Sequence, residues 1–102
     1  MSKKTQPSKV SLKVLRTLDM LCNNFAQGFS PKELVQATGF DNATITIHLT
    51  TLIEAGYAEV IVETERYRPS HRFAQKATSI LRSLDSAVGK FEESKLRINT
   101  EI

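Results

Sequence analysis

The sequence predicts a mainly α domain with a small β-hairpin and one long C-terminal helix. Three observations carry this. Apolar residues recur at helical spacing from Val10 to Phe25 and again from Phe73 to Phe91. Two further helices are punctuated by Ser30-Pro31, Gly39 and Gly56. A β-branched run, Val60-Ile61-Val62, precedes Tyr67 across the polar residues Glu63, Thr64 and Glu65.

Residues 1–9 are polar and basic and contain Pro7, so they read as a flexible arm with no core to join. From Val10 the positions Leu12, Leu15, Leu18, Leu21 or Cys22, and Phe25 form the stripe expected to face the core, in a helix that ends near "NNFAQG". Cys22 lies in that periodic segment and reads as a small packed hydrophobe. As the single cysteine it has no partner for an intrachain disulfide.

"FSPKEL" starts the second helix. Ser30 caps it, Pro31 suits its first position, Glu33 completes a capping box and Phe29 staples onto Leu34. Thr38 ends it, with Gly39 as the left-handed stop. Asp41 or Asn42 caps a third helix that runs to Ala55 and stops at Gly56. On it, Ile45, Leu49, Leu52 and Ile53 share the core stripe, while Ala43, Thr46, Ile47, Thr50 and Glu54 look outward. His48 sits beside the stripe and reads as a partly buried packing residue. "YAEVIVETERYRP" reads as two strands joined by a loop longer than two residues, with Val60 to Val62 in the first strand and Pro69 closing the second. Beyond "PSHRF", Phe73, Ala77, Ile80, Leu84, Ala87 and Phe91 step by 4, 3, 4, 3, 4, and Leu81 and Val88 widen the seam. The expected division is therefore an arm at 1–9, a domain at 10–71, a helix at 72–97 and a tail at 98–102.

Helix, capped short helix, glycine turn, longer helix and hairpin follow one another in the order of a winged helix-turn-helix domain, here with an added C-terminal helix. The chain also resembles the DNA-binding domain of IclR-type transcriptional regulators over roughly residues 11–73. The resemblance rests on "VLRTLDML", "SPKELVQATGFDNATI", "LTTLIEAGYAE" and "RYRPSHRF", most specifically on Leu52-Ile53-Glu54-Ala55-Gly56-Tyr57 followed by the Arg66-Tyr67-Arg68 strand. It implies a recognition helix over about 42–55 in the major groove, a wing on backbone or minor groove, and a dimer. This chain departs from the family in two ways. It has Asp41, Asn42 and Ala43 where basic or long polar residues are usual, and it lacks an effector domain. No small-molecule effector is implied.

Charge is segregated along the chain. Residues 1–32 carry six Lys/Arg and one acid, residues 33–65 six acids and no Lys/Arg, and residues 66–102 eight Lys/Arg and four acids. The expected reading helix thus lies inside an acidic block. Base contact is expected from Asn42, Ala43, Thr44, Thr46, Ile47, Thr50 and Thr51, through amide, hydroxyl and methyl groups. Phosphate neutralisation is expected from Lys3, Lys4, Lys9, Lys13, Arg16, Lys32, Arg66, Arg68 and Arg72, with helix N–H donors near Ser30. About five such contacts give a log–log salt slope near −4 to −5.

The seam Phe73, Ala77, Ile80, Leu81, Leu84, Val88 and Phe91 is surplus to a small core and reads as a dimerisation face. Packing of this helix on its own domain and capping of a partner chain's first helix are the other readings. With two histidines and one cysteine, no metal set or catalytic triad is specified, so neither an enzyme nor a cofactor is expected. At 102 residues there is room for one core, no bilayer-length apolar run and no secretory leader. A cytoplasmic, homodimeric, double-stranded-DNA-binding regulator, a repressor at an operator, is the leading expectation. The alternative is a winged-helix module whose acidic third helix binds another regulator.

Overall fold

The computed structural model describes residues 4–100. Lys3, counted above among the arm cations, and residues 101–102 of the tail lie outside the described residues. The elements in order are α1 (Lys9–Leu21), α2 (Pro31–Thr38), α3 (Asn42–Glu54), β1 (Ala58–Ile61), β2 (Arg66–Pro69) and α4 (His71–Thr100). The fold class is the one the sequence predicts: mainly helical, with a two-stranded antiparallel hairpin and a long last helix.

Local chemistry sets the helix ends. Ser8 accepts from the Ser11 N–H at 3.1 Å, so α1 begins at Lys9, inside the expected arm. Ser30 and Glu33 form the reciprocal capping box, at 3.1 Å and 3.0 Å. Gly39, at φ 80°, ends α2 and donates its N–H to the Val35 carbonyl. Asp41, not Asn42, caps α3, accepting from the Thr44 N–H at 2.8 Å. Ser70 caps α4, accepting from the Phe73 N–H at 3.0 Å while donating to the Gly56 carbonyl at 2.7 Å.

The core consists of Leu21, Leu34, Ile45, Leu49, Leu52 and Ala58, with Val14, Leu18, Phe29 and Tyr67 among the side chains packed around it. Helix α1 keeps Leu18 and Leu21 of the expected stripe on the core but turns Leu12 and Leu15 away from it. Thr17 and Leu21 are buried and Val14 and Leu18 half-buried, whereas Leu12 and Leu15 point outward, Leu15 at 58% exposure. The cause is polar. Thr17 Oγ1 meets His48 Nδ1 of α3 at 2.8 Å, which satisfies both groups in a buried place and fixes the rotation of α1. Cys22 is likewise exposed rather than packed, and its thiol is pushed up by partial burial and by Asp19. On α3, His48 joins Ile45, Leu49 and Leu52 in the buried set, and Ile53 falls outside it.

In the hairpin Glu59 pairs with Arg68, Val60 with Tyr67 and Ile61 with Arg66. Val62, expected in the first strand, belongs instead to the turn at 62–65, where Glu65 takes φ 59°. A third segment joins the sheet, since Phe29 and Tyr67 exchange backbone hydrogen bonds of 2.7 and 2.8 Å. That approach requires Gly28: at φ 70°, any Cβ there would lie against the Tyr67 carbonyl oxygen.

α4 is one continuous 30-residue helix, about 45 Å long at 1.5 Å per residue. Phe73 and Ala74 are half-buried on the domain, and every residue from 75 to 97 is exposed. The molecule is correspondingly elongated, 65 × 50 × 23 Å.

Two glycines separate strain from crowding. Gly39→Ala meets only the left-handed backbone penalty, about 1–2 kcal/mol, because nothing lies within 4 Å of its Cβ. Gly28→Ala should cost roughly a further 1–3 kcal/mol by displacing β2. Urea denaturation of the two variants measures the difference, and equal losses would contradict the close approach.

Candidate nucleic-acid interface

The outward face of α3 is β-branched and uncharged. Asn42, Ala43, Thr46, Ile47, Thr50 and Thr51 are exposed, Ile47 at 63%, and Thr44 is half-buried. Two hydroxyls are committed to the helix itself. Thr46 Oγ1 donates to the Asn42 carbonyl and Thr50 Oγ1 to the Thr46 carbonyl, each at 2.9 Å. Their remaining capacity outward is to accept, and Ile47 adds an exposed apolar side chain. Such a face is suited to base amino groups and thymine methyls, and poorly suited to phosphate oxygens, which only accept.

Positive charge stands beside this face on α1. Val10, Lys13 and Val14 of α1, with Thr44, Ile47, His48 and Thr51 of α3, line a groove of 260 Å³. Lys9, Lys13 and Arg16 are spaced i, i+4, i+7 and so occupy one side of α1. The turn between α2 and α3 holds two of them, because Lys13 Nζ lies 6.0 Å and the Arg16 guanidinium 5.7 Å from the Phe40 ring centre. The sequence names Lys13 and Arg16 only as members of a cluster of cations. It did not name Val10, Val14 or His48 as groove walls, although the 10/14 and 13/17 spacings contain the signal.

Half of the acidic block is occupied in structure. Asp41 is held below the usual carboxylate range by the Thr44 N–H and hydroxyl, with Lys13 adding to the effect. Glu33 is held low by the Ser30 N–H first, and it also meets Arg66 at 2.6 Å. Glu59 accepts from Arg68 Nε at 2.9 Å and from the His71 backbone N–H at 3.0 Å, and it lies 2.7 Å from His71 Nδ1. Glu54, Glu63 and Glu65 remain exposed.

The same contacts engage the arginines of the wing within the domain. Arg66 turns inward, donating to the Gln27 carbonyl at 3.0 Å and the Gly28 carbonyl at 2.9 Å as well as to Glu33. Arg68 lies 5.1 Å over the Phe25 ring while paired with Glu59. Both arginines are therefore engaged within the domain, and the tip between the strands presents Glu63 and Glu65. Arg72 donates to the Ala55 carbonyl at the end of α3. Ser30 is engaged in its cap, where the Glu33 carboxylate already supplies an anion to the α2 N-terminus. Lys32 is exposed on the first turn of α2.

Among the residues expected on the dimer face, Phe73 is instead half-buried on its own domain, its ring 5.4 Å from that of Tyr57. Ala77, Ile80, Leu81, Leu84, Val88 and Phe91 are exposed. Among the described residues no three His, Cys, Asp or Glu side chains converge as a metal set, and no helix is long and apolar enough to cross a membrane. Comparison with family models, curated proteins and solved structures gives no significant match.

His48 connects this site to stability. Burial, with Lys13 adding to it, pushes its pKa below the ordinary 6.5, so the folded chain resists the proton that the unfolded chain accepts. The stability it contributes is present above pH 6.5 and is lost as pH falls through the lowered value. The urea midpoint should drop between pH 7.5 and 5.5, and His48→Gln should flatten that drop. An unchanged drop in the variant would remove His48 as its origin.

Proposed function

We propose that the protein is a sequence-specific DNA-binding transcriptional regulator, a repressor that occupies an operator as a homodimer in the cytoplasm. In this reading α3 enters the major groove, as the resemblance to IclR-type winged helix-turn-helix domains implies. The observation that carries it is the basic side of α1: Lys13 borders the groove beside Thr44, Ile47 and Thr51, and Lys9 and Arg16 share its side of the helix. Those cations, with Lys4 in the arm and Lys32 on α2, supply the phosphate contacts that α3 lacks. The arginines of the wing keep the wing in place instead.

Dimerisation is assigned to α4. A solitary helix is marginal in water, and this one leaves Ile80, Leu81, Leu84, Val88 and Phe91 bare along one stripe. A partner covering that stripe stabilises the helix and doubles the number of reading heads.

The protein-binding alternative draws on the same surface, because Val10 and Ile47 are apolar and exposed at the groove and the wing tip is acidic. A mobility-shift titration on genomic and random duplexes across salt concentrations separates the two. DNA binding predicts a log–log slope near −4 to −5 for about five phosphate contacts. Replacing Lys9, Lys13 and Arg16 with Gln should reduce the slope's magnitude by about 2.7 and weaken affinity at low salt. No retardation at micromolar protein and low salt would overturn the DNA reading in favour of a protein partner.

A further inference from the structure

We infer that α3 reads A·T base pairs, with Ile47 packed on thymine methyl groups as the residue that sets specificity, and that it makes no paired contact to guanine. This rests on the DNA reading proposed above and names the bases it prefers. In the major groove a guanine edge offers two acceptors, O6 and N7, and the side chains that match it, Arg and Lys, bring donors to both. An A·T pair offers the adenine amino group as a donor and the thymine C5 methyl as its apolar group.

The hydroxyl donors along α3 are largely spent within the chain. Thr46 and Thr50 donate to carbonyls one turn back, each at 2.9 Å, and the Thr44 hydroxyl is engaged with Asp41. Outward, Thr46 and Thr50 keep acceptor oxygens, and exposed Glu54 at the far end of the helix adds a carboxylate. Such oxygens match an amino group and leave guanine O6 and N7 without partners, which costs binding. No Lys or Arg lies between residues 33 and 65. The cation that borders the groove, Lys13, belongs to α1, with its Nζ 6.0 Å from the Phe40 ring centre, and is assigned above to phosphate. Thr51 brings one hydroxyl, at most a single donor. Asn42, exposed at the start of the helix, carries an amide whose donor and acceptor suit adenine N7 and N6.

The apolar part of the face has the matching chemistry. Ile47 is 63% exposed, with exposed Ala43 one turn before it and exposed Thr50 one turn after. Laid on a thymine methyl, Ile47 removes two apolar surfaces from water at once. Neither a G·C nor a C·G pair offers a methyl group there.

Selection from a pool of random duplexes, followed by resynthesis of a retained duplex with deoxyuridine in place of thymidine, tests the assignment. Deoxyuridine keeps the base-pairing groups and lacks only the methyl. Retained half-sites should be rich in A·T, and the replacement should weaken binding about fourfold for each methyl that Ile47 covers. Ile47→Ala, at an exposed position where alanine favours the helix, should bind the two duplexes alike. Three results each overturn the assignment and leave DNA binding intact: retained sites centred on guanine, equal affinity of the unmodified protein for both duplexes, or a deoxyuridine loss as large in Ile47→Ala as in the unmodified protein. Recovery of no duplex from the pool, with no retardation at micromolar protein and low salt, overturns the DNA reading and this one with it.

Discussion

The contact between Thr17 and His48 sets the arrangement on which the rest of the molecule depends. A buried hydroxyl and a buried imidazole each need a partner, and here they meet at 2.8 Å, the hydroxyl also reaching the Lys13 carbonyl at 3.4 Å. Meeting that requirement fixes how α1 rolls on α3. Rolled this way, α1 buries Leu21, packs Val14 and Leu18 against the core, leaves Leu12 and Leu15 in solvent, and brings the side carrying Lys9, Lys13 and Arg16 against the edge of α3. Rolling it to bury Leu12 and Leu15 would part His48 from Thr17 and carry Lys13 away from Ile47. One polar pair thus connects the packing of the core to the electrostatics of the proposed reading surface.

The second constraint is ionic. An α3 without a single Lys or Arg, in the middle of six acids, reads as a negative surface. Folding changes that by placing three of the acids where they have structural work: Asp41 as a cap, Glu33 between the Ser30 N–H and Arg66, and Glu59 between Arg68 and the start of α4. These are partly exposed pairs, whose individual contributions are small after solvent screening. Their greater effect is positional. Arg66 ties the wing to the 27–28 turn, and Glu59 ties it to the root of α4, so the wing, the turn and the last helix hold one another in register.

Features decided within a few residues were legible in the chain. The Ser30–Glu33 box, Gly39, the cap before Asn42 and the outward set Ala43, Thr46, Ile47 and Thr50 all follow from local chemistry and helical spacing. The Glu59–Arg68 pair was readable in principle, since it falls at facing positions once the hairpin is registered. The roll of α1 was not. Leu12 and Leu15 fit a 3–4 spacing as well as Val14, Leu18 and Leu21 do, and the polar pair that decides between them spans 31 residues. The inward contacts of Arg66 are hidden from the sequence for the same reason, because Glu33 is 33 residues away. Phe73 was read as seam, although the chain alone gives no sign of the Tyr57 ring that holds it.

If α1, rather than the wing, frames the proposed reading helix with positive charge, backbone amide shifts in a duplex titration should move along the outward face of α3 and over Lys9 to Arg16, with the tip at Glu63 and Glu65 unmoved. Shifts concentrated at that tip and around Arg66 and Arg68, with α1 silent, would contradict it.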